Sequence, residues 1–143
     1  MPRINTQAEY DAAVRRGWHP LVQPMFQMEH GLRVFIQKRH FGEGHTPEEN
    51  ERFYKWVWEH KPHYCENCMK PLQSYSAVHI SHILSRGAHP AIAHDPRNTN
   101  ILCAKCHAEW ENGNRRDMRI YESATMTAED LIKEYYIAQK GNE

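Results

Sequence analysis

Four cysteines fall in two C-x-x-C pairs, Cys65 with Cys68 in "CENC" and Cys103 with Cys106 in "CAKC", and none lies outside them. Two such knuckles far apart in a chain are the usual way to surround one zinc ion with four thiolates. A disulfide framework fits poorly, because "MPRINTQAEYDAAVRRGW" lacks the apolar centre of a secretory leader. A thioredoxin-like dithiol needs one pair beside a βαβ pattern, which is not visible here. Between the knuckles runs "HISHILSRGAHP", residues 79–90, with His79, His82 and His89 within it. Imidazoles titrate near neutral pH, so they can take a proton from water or bind a metal ion. Asn98 lies before the second knuckle and His107 directly after it.

The surrounding pattern indicates what must position these groups. "TPEENERFYKWVWEHK" has Thr46 as a cap, Pro47 at the first helical position and Glu48 and Glu49 in the first turn. Phe53, Trp56 and Val57 follow at helical spacing, so a helix runs from 47 to about 60, its aromatic face packing into a core. "HYCENCMKPL" reads as a tight knuckle, and "SAVHISHI" alternates as a strand ending near Ile83. Positions 79 and 81 would share one face of that strand and 82 the other. "LSRGAHPAIAHDPRNTN" carries Gly, Pro, Asp and Asn and reads as a long loop, uncommon unless functional. "ILCAKCHAEWENG" is the second knuckle entering a helix that Gly113 ends. In the tail, Thr127 caps a helix with an apolar stripe of Leu131, Ile132, Tyr135 and Tyr136. One ion held by both knuckles would staple strand to helix and turn His107 toward the histidine-bearing strand.

The text from "YCENCMKPL" through "HISHI" to "RNTNILCAKCHAEW", residues 64–110, resembles the HNH or ββα-metal nucleases. "SHILSRG" with "WENG" also looks like the phage-encoded branch of that family. The resemblance implies an α+β fold: a small ββα-metal core stapled by a four-cysteine zinc site, with flanking helices. The signal that sharpens at Thr46 divides the chain into an extension of unknown role over 1–45 and, with the resemblance, a nuclease-like domain over 46–143. The resemblance makes His82 the general base that activates water, Asn98 the residue that shapes the histidine-bearing loop, and His107 a ligand of the catalytic metal. The implied cofactors are a structural Zn2+ and a divalent catalytic ion such as Mg2+, Mn2+, Ni2+ or Zn2+. The implied reaction is hydrolysis of DNA, leaving 5′-phosphate and 3′-hydroxyl ends. In one respect the chain departs from the family, which commonly places Asp before the base, where this sequence has Ser81. His79, Asp95, His89, His94 and Glu111 are the other available metal ligands. Arg86 is a candidate phosphate contact, weighed against a structural salt bridge; Arg97, another candidate contact, can form a basic patch with Lys70, Lys105, Arg115, Arg116 and Arg119, weighed against a solvated charged face.

Composition bounds these readings. The 143 residues make room for one modest core, and the formal net charge is zero, so any contact with nucleic acid must come from local clustering. No apolar run approaches a membrane span, so a cytoplasmic protein without a membrane partner is expected; the resemblance makes DNA the partner, and no oligomeric state is assigned. Ser81 keeps a second reading open, a zinc-stabilised module that binds DNA or protein without cutting. His19, His30, His40, His45, His60 and His63 read as surface residues.

Overall fold

The computed structural model describes residues 45–137 together with Ala8, Glu9, Ala12, Arg15, Arg16, Gln37, Lys38, Phe41 and Gly42. Most N-terminal readings therefore lie outside the described residues, as do His19, His30 and His40. The fold is α+β. Helix α1 (Pro47–His60) begins where its cap requires: the Thr46 hydroxyl accepts from the Glu49 N–H at 3.2 Å, and the Glu49 carboxylate accepts from the Thr46 N–H at 3.2 Å. That exchange satisfies two donors that a helix start leaves open. The inner face of α1 buries Asn50, Phe53, Val57 and Trp58. Phe41 meets Phe53 edge-on at 5.0 Å, so the core extends across position 45.

Two short strands follow, β1 (Ile80–His82) and β2 (Thr99–Ile101), paired antiparallel with Ile80 opposite Ile101 and His82 opposite Thr99. The expected strand is shorter than its alternation suggested, because Ser76 accepts from the Val78 N–H at 3.3 Å and caps a 3-10 turn over Ala77–His79. β2 is cut from the stretch read as loop. Three residues are too few to carry a period, and remote groups hold them: the Lys61 ammonium donates to the Thr99 carbonyl at 2.8 Å and the Glu66 N–H to the Ile101 carbonyl at 2.7 Å.

Helix α2 (Ala104–Asn112) starts on Cys103 and stops at Gly113, as expected. Helix α3 (Tyr121–Ile132) begins well before Thr127, the residue expected to cap it. Burial of Ala124 in line with Leu131 extends the helix backward, and Ser123 is accommodated by donating to the Ile120 carbonyl at 3.1 Å. The main core gathers α1, both knuckles, the strands and Trp110 of α2, while a smaller cluster of Ile92, Leu131 and Tyr135 pins α3 beneath the loop. Among the described residues no helix is long and apolar enough to cross a membrane.

A π turn (Lys133–Ile137) ends α3 and delivers Tyr135 to Asp95, which has no exposed surface. The Tyr135 hydroxyl donates to Asp95 Oδ2 at 2.8 Å and accepts from the Gln37 amide at 2.7 Å. Arg97 grips the same carboxylate at 2.6 Å and reaches Glu134 at 2.5 Å. A buried acid is tolerated when its oxygens are this fully paired. Tyr135→Phe strips one bond from Asp95 and one from Gln37, and should cost about 1–3 kcal/mol. Urea unfolding should show a lower midpoint at unchanged slope; an unchanged midpoint would mean that this network does not hold α3.

Candidate functional site

The two knuckles meet. The sulfurs of Cys65, Cys68, Cys103 and Cys106 all lie within 4.8 Å of one another, and Cys68 approaches Cys103 to 3.8 Å. The first knuckle closes as a small hairpin, with Cys65 N–H donating to the Lys70 carbonyl and Met69 N–H to the Cys65 carbonyl, both at 2.8 Å. Met69 takes a left-handed φ of 68° to make this turn. Burial pushes the Cys65 thiol up, but N–H groups of Cys68, Cys103 and Asn67 outweigh it and bring the thiol down to about 7. Burial drives Cys106 the other way, up to about 12. A divalent ion would stabilise all the thiolates at once, so this donor set fits a metal ion, and four sulfurs are a set that zinc takes.

His82 sits at the end of β1, partly buried. Its Nε2–H donates to the Ala93 carbonyl at 2.9 Å. That bond fixes the tautomer and leaves the lone pair on Nδ1. Phe53 lies nearly parallel to the ring at 6.1 Å and 25°, and Tyr54 meets it edge-on at 6.0 Å and 70°. Burial lowers the His82 pKa; the positive charge of Arg86 acts in the same direction, as does His107 when protonated, against the Ala93 hydrogen bond and Glu111. The neutral imidazole is therefore favoured. Asn98, fully buried, pairs with the backbone of Leu84 on both sides: its Oδ1 accepts from the Leu84 N–H at 2.8 Å and its Nδ2 donates to the Leu84 carbonyl at 2.9 Å. The chain just past His82 is held by an amide that cannot titrate.

His107 lies on the first turn of α2, and its Nδ1–H donates to the Val78 carbonyl just before β1. Its Nε2 is thereby presented 3.4 Å from the Glu111 carboxylate, one helical turn further on. Trp110 on the same helix donates to the His82 carbonyl at 3.2 Å, so α2 is fastened directly to the end of β1. His107 and His82 are thus brought within electrostatic reach of each other.

The other candidates are placed elsewhere. Ser81 is 1% exposed and alternates with His82 along the strand. His79 lies in the 3-10 turn and packs on Trp58 at 5.9 Å and 28°, toward α1. Asp95 is sealed against Arg97 and Tyr135. His94 is 3% exposed, donates to Asn50 Oδ1 at 2.8 Å, and is held neutral, with a pKa lowered to about 4 by burial and by His45 beside it. His89 approaches the Tyr136 hydroxyl at 3.3 Å. Arg97 is engaged by Asp95 and Glu134, whereas exposed Arg86 donates to the Tyr54 hydroxyl at 2.8 Å. Arg115 stacks over Trp110 at 4.4 Å, and Lys70, Lys105, Arg116 and Arg119 are exposed. His63 is exposed, as expected, and His60 half-buried, and they stack on Trp58 and Trp56 at 3.9 Å. The wrapping of His82 by Phe53 and Tyr54 carried no sequence signal beyond the helix pattern, and the Ala93 and Val78 carbonyls carried none.

Residues 65–113 match the family model described as HNH endonuclease, which bears out the resemblance drawn from the cysteines and histidines. The match covers both knuckles, both strands and α2, and leaves α1 and α3 outside it. No curated protein and no solved structure matches the chain significantly.

Metal analysis of the purified protein should return about one zinc per chain, as a single four-thiolate site requires. Cys103→Ser should lose the metal and cooperative unfolding together. A variant that keeps both would mean that the knuckles do not share an ion.

Proposed function

We propose that the protein is a metal-dependent HNH endonuclease that hydrolyses DNA, with His82 as general base. The observation that carries this reading is the hydrogen bond from His82 Nε2 to the Ala93 carbonyl, which leaves Nδ1 to accept a proton. Nδ1 takes a proton from water as the water oxygen attacks phosphorus. The bond from phosphorus to the 3′ oxygen breaks, the 3′ oxygen takes up a proton, and 5′-phosphate and 3′-hydroxyl ends remain. Asn98 keeps the chain beyond His82 from shifting through its two bonds to Leu84.

His107 Nε2 and the Glu111 carboxylate would hold the catalytic ion, a nitrogen and oxygen pair suited to Mn2+, Ni2+ or Zn2+ as well as Mg2+. Such an ion, when bound, would supply positive charge to stabilise the phosphate and the departing oxygen. Glu111 takes the place of the family's missing aspartate, since Ser81 is buried. Arg86 contacts the phosphate, while Arg97 is committed to its two carboxylates. A second reading is favoured by Ser81: a zinc-stabilised module that holds DNA or protein without cutting it.

Plasmid DNA incubated with the protein and Mg2+, Mn2+, Ni2+ or Zn2+ should be cut, and chelation of the added ion should stop it. His82→Ala should slow cutting by about a hundred- to ten-thousandfold while keeping its zinc and its circular dichroism spectrum. Equal cutting by His82→Ala would remove His82 as the base. DNA retained but uncut with every ion would select the binding module.

A further inference from the structure

We propose that Tyr54 is a positioning residue that holds Arg86 toward the DNA phosphate addressed by His82, an inference that rests on the reading of His82 and Arg86 above. Tyr54 projects from α1, outside residues 65–113, the segment that the family model matches. Its hydroxyl accepts from Arg86 Nη1 at 2.8 Å, and the same ring packs edge-on against His82. One side chain therefore touches both the exposed guanidinium and the imidazole.

Among the described residues no carboxylate lies within ion-pair distance of Arg86, in contrast to Arg97, which has two. The positive charge is felt at His82 and at His94. Burial raises the Tyr54 pKa, so at neutral pH the phenol is uncharged. A neutral acceptor can orient a guanidinium without neutralising it, which a glutamate in the same place could not do. Arg side chains lose rotamer freedom on binding an oxyanion, and holding the fork in place beforehand reduces that loss. The chain beside Arg86 is also open: a Cβ added at Gly87 would meet nothing within 4 Å. An oriented cation on an open loop beside an imidazole is a seat for a phosphodiester oxygen.

The test is a double-mutant cycle on the full chain. Affinity for a DNA duplex is measured by fluorescence anisotropy without added divalent ion, across a range of salt. Tyr54→Phe removes only the hydroxyl and should weaken binding by about three- to tenfold, with the salt slope and melting temperature unchanged. Arg86→Ala should weaken binding further and flatten the salt slope by about one. The double variant should match Arg86→Ala within about twofold. Wild-type affinity in Tyr54→Phe, losses that simply add, or no DNA binding by the parent would each overturn the proposal. The cleavage assay with His82→Ala is read separately, so failure of the nuclease reading is distinguishable from failure of the Tyr54 assignment.

Discussion

The structure depends on four sulfurs being drawn to one point. Cys68 and Cys103 are 35 positions apart in the chain, yet their sulfurs stand 3.8 Å apart. Closing so long a loop costs chain entropy, and thiols alone offer little attraction to offset it. An ion shared among the sulfurs would supply that attraction. The closure fixes more than the knuckles. It sets Glu66 against Ile101, pairs β1 with β2, and starts α2 on Cys103 at the angle that puts His107 beside Val78. Everything between the knuckles, including His82 and Asn98, is a loop clamped at both ends.

Within that clamp, backbone carbonyls orient the imidazoles. Ala93 takes the Nε2–H of His82, and Val78 takes the Nδ1–H of His107. Opposite nitrogens are therefore left on the two rings, Nδ1 on one and Nε2 on the other. A ring whose tautomer is fixed this way can accept a proton or bind an ion without first rearranging. The carbonyls are themselves held: Ala93 precedes His94, which Asn50 of α1 secures, and Val78 lies in a turn capped by Ser76. Helix α1 thus completes a site most of whose residues lie in the family-matched segment. It brings Asn50, Phe53 and Tyr54 to the His82 side of the molecule.

The sequence discloses those parts of this arrangement that rest on local chemistry. The cap at Thr46, the stop at Gly113 and the paired cysteines each act within a few residues, and each is legible as text. β2 is not, because three residues have no period and its partners are Lys61 and Glu66 far upstream. The early start of α3 is hidden because serine and threonine near 123–127 imitate a cap, while the burial of Ala124 that decides the matter is tertiary. Asp95 looked like a metal ligand as an acid among loop histidines. Only the fold reveals that Tyr135, 40 positions away, seals it. The stacks of His60 on Trp56 and of His63 on Trp58 carry no local signal either, because they depend on how α1 ends.

The shared ion is tested most directly by X-ray absorption at the zinc edge on the protein as purified. The expected result is a first shell of sulfur alone, four atoms at about 2.3 Å, supplied by Cys65, Cys68, Cys103 and Cys106. A shell containing nitrogen or oxygen, or a folded protein that carries no zinc at all, would contradict it.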